Sequence, residues 1–308
     1  MPPTHTPLGV PPQSSPIPHI VHQTWRSSST IPRGLASRCV ASWRRLQPRW
    51  QYAFHSDDDN HRLVRERYPW LQGAYSRFSP IQRADLARYL YMHAFGGVYA
   101  DLDVELLKPL GPLLKAQRWR YNASVILGQE PLAHAVLLER KPRQVCNAVM
   151  ASAPGHPFWL AVLRRVERGG AFADPVLTTG PRMLEAVFNE WTGRHGGDAG
   201  GVVVVPPDSF YPTWDPMQAD TFRQRCRSQA SSKAAGASWR QPMTTRFRRR
   251  SAGKRGGGDI EGYDAVCARL RREGFVPTIP GDGSAYANHL WTHTWIPGAS
   301  KTAVLYGG

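Results

Sequence analysis

The stretch from Ser79 to Glu105 constrains this chain more than any other. Pro80 stands where a helix begins, and Ile81, Ala84, Leu86, Ala87, Leu90, Tyr91 and Ala94 then recur at the spacing of a buried helical face. Gly96-Gly97 ends that helix and turns the chain into Val98-Tyr99-Ala100, a short strand running into Asp101-Leu102-Asp103. Residues i and i+2 of a strand share a face, so both carboxylates can approach one divalent ion, directly or through water, while Leu102 anchors the strand. Two carboxylates in that position predict a cation site that serves an anionic ligand.

A bare D-x-D pattern is not specific, because Asp57 and Asp59 repeat it within His55-Ser-Asp-Asp-Asp-Asn60. There, Ser, Asp and Asn precede the periodic apolar residues Leu63, Val64 and Tyr68, which predicts a helix N-cap rather than a metal site. Within the helix before Asp101, Asp85 and Arg88 lie three residues apart and share a face. They fit an ordinary helix ion pair. They also fit a ligand contact, with Asp85 accepting from sugar hydroxyls and Arg88 meeting phosphate or holding Asp85 in place.

These residues resemble a known family. Ile81-Gln-Arg-Ala-Asp-Leu-Ala-Arg-Tyr89 followed by Gly96-Gly-Val-Tyr-Ala-Asp-Leu-Asp103 is similar to the signature of glycosyltransferase family 32, the D-x-D sugar transferases. Ile17-Pro-His-Ile-Val-His-Gln-Thr-Trp25 resembles its opening strand, Ala153-Pro-Gly-His-Pro-Phe158 its central loop, Thr178-Thr-Gly-Pro181 a later loop, and His289-Leu-Trp-Thr-His-Thr-Trp295 its closing His-x-Trp-Ser-x-Ser-Trp pattern. The pieces occur in family order over most of residues 17 to 296, and the phrasing Pro-Ile-Gln-Arg-Ala-Asp is most like that of inositol-phosphoceramide mannosyltransferases.

The resemblance implies a GT-A fold, a Rossmann-like α/β sandwich, and sugar transfer with retention of configuration. The implied cofactors are manganese or magnesium and a nucleotide-sugar donor, GDP-mannose by the nearest phrasing. Asp101 and Asp103 would serve the metal, and His289 would complete its site. Asp85 and Arg88 would hold the donor sugar and ribose and, with Asp103, form the catalytic set. Trp25 would stack on the base, and Tyr99, Asn147, Thr294 and Trp295 would lie near the donor. Two family serines are Thr292 and Thr294 here, which keep a hydroxyl, and His293 between them leaves two candidate histidine ligands.

The residue types agree with that chemistry. A divalent cation stabilises the charge that develops on a departing diphosphate without a strong protein acid. Carboxylate oxygens suit magnesium or manganese, and an imidazole ligand favours manganese. Each residue also has a plainer explanation: Trp25 is one of eleven tryptophans and fits a core position, His289 fits an aromatic-packed histidine, and His156 fits a turn.

At 308 residues and 41% apolar, the chain can bury one α/β domain, expected over residues 17–300 with a tail at 301–308. Residues 1–16 hold six prolines and neither lysine nor arginine, and read as a disordered tail rather than a signal peptide. No apolar run approaches the roughly 20 residues that span a bilayer. The formal charge is +16, but eleven Lys or Arg against the single acid Asp259 fall within 221–260, a Ser, Ala and Gly-rich segment expected as a disordered insertion. It could contact an anionic membrane where a lipid acceptor resides.

Cys39, Cys146, Cys226 and Cys267 are scattered, predicting neither a zinc site nor a disulfide scaffold. Asn122-Ala-Ser124 is a glycosylation sequon. The family resemblance implies the Golgi, reached through membrane segments this sequence lacks, so compartment stays open. The expected partners are the donor and a lipid or glycan acceptor such as inositol-phosphoceramide; UDP-galactose or UDP-glucose is the alternative donor. Two other classes fit parts of the chain. A D-x-D phosphatase would need an adjacent acidic pair downstream, which is missing, and a nucleic-acid binder would rest on the arginine-rich insertion alone, where Trp239 and Phe247 could stack on bases.

Overall fold

The computed structural model describes residues 17–169, 174–234 and 262–293. The predicted tails at 1–16 and 301–308 and the 235–260 part of the predicted insertion lie outside the described residues. Among the described residues there are eight strands: β1 (Ile20–Thr24), β2 (Gln51–His55), β3 (Gly97–Ala100), β4 (Val104–Leu106), β5 (Val125–Gln129), β6 (Val145–Ser152), β7 (Val202–Val205) and β8 (Ala287–His289). Six form one mixed sheet in the order β2-β1-β3-β6-β5-β7. The β2, β1 and β3 strands run parallel, β6 lies antiparallel between β3 and β5, and β7 is parallel to β5. A separate antiparallel pair joins β4 to β8. The fold class is α/β, as expected.

Apolar clusters cover the two faces of the six-stranded sheet. One gathers Leu86, Leu90 and Met92 with Trp159, Val162 and Leu184, and the other gathers Trp43, Leu113, Leu114, Phe210 and Tyr211. The Pro80–Ala94 helix is buried beyond the predicted apolar face, because it packs between the sheet and the Pro157–Arg168 helix. Gln82, Asp85 and Arg88 are buried with it. Its start is closed by Gln82 Oε1, which accepts from the Ser79 backbone N–H at 2.9 Å.

After that helix, the turn into β3 requires glycine. Gly96 has φ +64° and Gly97 φ +86°, and a Cβ on Gly97 would stand 2.6 Å from the Ile20 carbonyl oxygen of the neighbouring strand. The second D-x-D is structural, as predicted: Ser56 caps the Asp57–Arg67 helix and Asp59 completes the capping box. His156, expected in a turn, caps the Pro157–Arg168 helix by accepting from the Phe158 N–H.

Two expectations are corrected. Residues 219–234, which include the first part of the predicted disordered insertion, form the helix Ala219–Ala234. Phe222 and Cys226 on that helix are buried in a third cluster with Trp214, Val266 and Leu270, so burial of a few apolar side chains outweighs a basic and polar composition. The cysteines are also not all free: Cys226 and Cys267 form a disulfide with 41 residues of separation, while Cys39 and Cys146 are free and buried. The bond ties that helix to Tyr263–Arg272 and thereby the two ends of the basic segment. Among the described residues, no helix is long and apolar enough to cross a membrane.

Candidate active site

Asp101 and Asp103 follow β3 directly, in the position the D-x-D pattern predicts, and β4 then pairs with β8 so that Val104 lies opposite His289. This pairing brings His289 to the carboxylates from 186 residues away in sequence. One ligand atom from each of Asp101, Asp103 and His289 lies within 4.8 Å of the others. Two hard carboxylates and one imidazole form a donor set suited to manganese or magnesium. His289 Nδ1 is buried without a hydrogen-bond partner among the described residues, while its Nε2 meets Asp103 Oδ1 at 3.1 Å. The Asp101 side chain is 24% exposed, which leaves an approach open. The residues therefore fit a divalent cation.

Asp103 is the more strongly held carboxylate. Burial alone would raise its pKa, but the charge and hydrogen bond of His289, with Thr292 donating from both N–H (3.0 Å) and Oγ1 (2.8 Å), hold it far below the usual carboxylate range. For Asp101, burial wins and shifts its pKa upward, opposed chiefly by Arg88. His289 is shifted upward because Asp103 outweighs the burial that would lower it.

Behind the carboxylates lies a buried polar network. Arg88 Nη1 meets Asp101 Oδ1 at 3.2 Å and donates to the Asn147 carbonyl at 3.0 Å, and its Nη2 meets Asp85 Oδ1 at 3.1 Å. Asp85 also accepts from Asn147 Nδ2 at 3.1 Å and from Thr179 Oγ1 at 2.9 Å. Burial raises the Asp85 pKa, with Arg88 the largest opposing influence. Tyr89 donates to the Thr179 carbonyl at 2.7 Å, and Tyr99 donates to Asp101 Oδ1 while its ring lies beneath the Arg88 guanidinium, 5.1 Å from centroid to Cζ. Asp85 and Arg88 thus support Asp101 from within the protein, through Arg88 Nη1 and Nη2, while Arg88 Nε is buried without a hydrogen-bond partner among the described residues.

Asn147 reaches this network through an irregularity in β6. Leu127 of β5 pairs with Met150, but the next residue, Gly128, pairs with Cys146, so residues 147–149 have no partners on β5. Gly128 is needed opposite them, since a Cβ there would stand 2.4 Å from the Tyr211 ring, whose hydroxyl accepts from the Val149 N–H at 2.6 Å.

The other sequence-predicted residues are distributed as follows. Trp25 stands just beyond β1, partly buried against the cluster of Leu35, Cys39 and Leu102, with its indole N–H donating to the Thr30 carbonyl at 3.0 Å. Of the two candidate histidines, His289 joins the carboxylates, whereas His293 pairs with Asp215 at 3.0 Å. Thr294 and Trp295 lie outside the described residues. Sequence reasoning missed the parts played by Tyr89, Thr179 and Gln23, whose amide donates to the Asp101 carbonyl at 3.1 Å. Thr178-Thr-Gly-Pro181 carried the only local signal for Thr179.

Residues 35–122 match the family model described as "Glycosyltransferase sugar-binding region containing DXD motif". Inositol phosphoceramide mannosyltransferase 3 of Schizosaccharomyces pombe is 32% identical over 188 residues, covering 58% of this chain and 47% of that protein. Mannosyl phosphorylinositol ceramide synthase SUR1 of Saccharomyces cerevisiae is 30% identical over 189 residues, covering 59% and 44%. The chain spans about half the length of the curated relatives it matches. Among solved structures, PaToxG Glycosyltransferase superposes with a TM-score of 0.42 at 15% identity, covering 58% of this chain and 72% of that one. With the D-x-D carboxylates placed at the end of β3 and the family match running through them, residues 35–122 belong to the glycosyltransferase sugar-binding regions that contain a DXD motif.

Proposed function

We propose that this chain is a metal-dependent retaining glycosyltransferase of GT-A type that moves mannose from GDP-mannose to a lipid or glycan acceptor of the inositol-phosphoceramide kind. The observation that carries this is the convergence of Asp101, Asp103 and His289 on one small volume, reached from β3 and β8. Relatives named an inositol phosphoceramide mannosyltransferase and a mannosyl phosphorylinositol ceramide synthase support the choice of sugar.

In this assignment Asp101, Asp103 and His289 hold manganese or magnesium, and the cation supplies charge stabilisation for the departing diphosphate. Arg88 and Asp85 are positioning residues: Arg88 holds Asp101 on one side and Asp85 on the other, and Asn147, Tyr99 and Thr179 fix their orientation. A carboxylate held by several partners in a low-dielectric site keeps its geometry through the reaction, which is the advantage of preorganisation. Trp25, beyond the end of β1, offers a ring face to the base.

The test is turnover of GDP-mannose, UDP-galactose and UDP-glucose by the purified protein, with and without manganese, beside Asp103→Asn. Manganese-dependent turnover of GDP-mannose that is lost in the variant is the expected result. Turnover of a UDP-hexose instead would replace the donor and keep the reaction class. A folded protein that neither turns over nor binds any of the three would overturn the proposal.

A further inference from the structure

The sequon Asn122-Ala123-Ser124 closes the helix Gly111–Tyr121 and contributes nothing to the carboxylate site. Asn122 is the C-cap of that helix, with φ 48° and ψ 36°, a left-handed conformation that asparagine tolerates, and its backbone N–H donates to the Gln117 carbonyl. The cap uses the Asn122 backbone only. Its side chain is exposed, and its carboxamide makes no hydrogen bond among the described residues.

Two aromatic side chains stand in water beside it. Trp119 is 85% exposed and Tyr121 55%, and no large apolar side chain among the described residues is more exposed than Trp119. Trp119 lies three residues before Asn122, so the two positions are neighbours on the helix surface. The cysteines bear on the compartment in which this chain folds. A disulfide such as Cys226–Cys267 forms and persists where the redox poise is oxidising, as in the lumen where N-linked glycans are added, and Cys39 and Cys146 are buried out of reach of cross-linking.

Ser124, which sequon recognition also requires, is buried once the chain has folded. Its N–H donates to the Gly201 carbonyl and its carbonyl accepts from the Ala153 N–H, both at 2.8 Å. Both partners lie C-terminal to the sequon. During synthesis the sequon therefore emerges before the residues that lock it, and it closes when they fold onto β5.

We infer that Asn122 carries an N-linked oligosaccharide, added during synthesis, whose first sugar lies over the Trp119 ring. In the transfer, Asn122 Nδ2 bonds to C1 of the first sugar of an oligosaccharide carried on a polyisoprenyl diphosphate. The C1–O bond breaks, the diphosphate leaves with the bonding electrons, and one carboxamide proton passes to a base of the transferring enzyme. The C–H face of the attached hexosamine then stacks on the indole, taking apolar surface of both out of water. The inference is independent of the proposed transferase reading, and its test needs no turnover by this chain.

The full chain is isolated from the cells that make it, with thiols alkylated at lysis, and digested without reduction. Treatment with peptide-N-glycosidase in ¹⁸O-water should convert Asn122 to ¹⁸O-labelled aspartate in the mapped peptide, and Cys226 should be recovered linked to Cys267. The variant Asn122→Gly, made in the same cells, should lack the glycan and keep the cap, because glycine takes the left-handed conformation without cost. Hydroxyl-radical oxidation of Trp119, read by peptide mass, should be severalfold slower in the glycosylated chain than in Asn122→Gly. An unmodified Asn122 in the isolated protein would overturn the inference, as would Cys226 and Cys267 recovered as alkylated thiols, which would place the chain in a reducing compartment. Equal oxidation of Trp119 in the two chains would overturn the stacking of the sugar on its ring.

Discussion

Replacing Arg88 with methionine removes the only cation bonded to both Asp85 and Asp101 among the described residues, and the loss can be apportioned from their exposure. The Asp101 side chain is 24% exposed, so water can take over part of what Arg88 supplies there. That of Asp85 is 8% exposed and would keep only the neutral donors Asn147 Nδ2 and Thr179 Oγ1. Breaking a buried ion pair from one side costs roughly 3–5 kcal/mol, and partial rehydration of Asp101 puts the expectation at the lower end, about 3 kcal/mol. Urea unfolding at neutral pH measures it as a shift in midpoint at constant slope. The double variant Asp85→Asn/Arg88→Met removes the stranded charge and should lose less than the sum of the two single variants, with a coupling of at least about 1 kcal/mol. Additive losses, or a single-variant cost below about 1 kcal/mol, would refute the view that Arg88 is held chiefly by these carboxylates.

Three further outcomes are expected. Gly97→Ala should destabilise by more than about 2 kcal/mol, since the positive φ costs about 1–2 kcal/mol and the new Cβ meets the Ile20 carbonyl, whereas Gly111→Ala, with open space around it, should be neutral; thermal unfolding of the two variants compares them. Replacing both Cys226 and Cys267 with serine should cost up to about 4 kcal/mol on the chain-entropy estimate for a 41-residue loop, and hydrogen exchange should show the Ala219–Ala234 and Tyr263–Arg272 helices opening before the six-stranded sheet; unchanged protection of those helices would count against it. Burial lowers His22 to about 3 and His55 to about 4, and the unfolded chain titrates near 6.5, so the unfolded state binds more protons between these values. Stability should therefore be full above pH 6.5 and fall as pH drops toward 4, less steeply in His55→Gln, with melting temperature against pH as the readout; equal slopes would show that the pair makes no contribution.

Much of the part of the chain around the D-x-D carboxylates was legible because its signals are local. The helix and Gly-Gly turn before Asp101, and the Ser56 to Asp59 cap, each lie within one short stretch whose geometry follows from spacing and from the conformational freedom of glycine. The pairing of Cys226 with Cys267 and the helix that carries Cys226 were not legible. A basic, polar segment has no periodicity to announce them, and Phe222 and Cys226 find their burial only against Trp214, Val266 and Leu270.

The sequence by itself determined that two carboxylates stand at the end of a strand behind a buried helix, since alternation along a strand and the turn before it need nothing from the rest of the chain. Only the tertiary structure decided which histidine joins them and what Asp85 and Arg88 bond to. His289 and His293 are chemically alike and four residues apart, and the β4–β8 pairing aligns His289 with Val104 while His293 falls to Asp215. Asp85 also accepts from Asn147 and Thr179, which the missing partners of residues 147–149 on β5 and the turn at Thr179 bring to it. Contacts between residues so far apart in sequence form only when the sheet closes, and no local pattern encodes them.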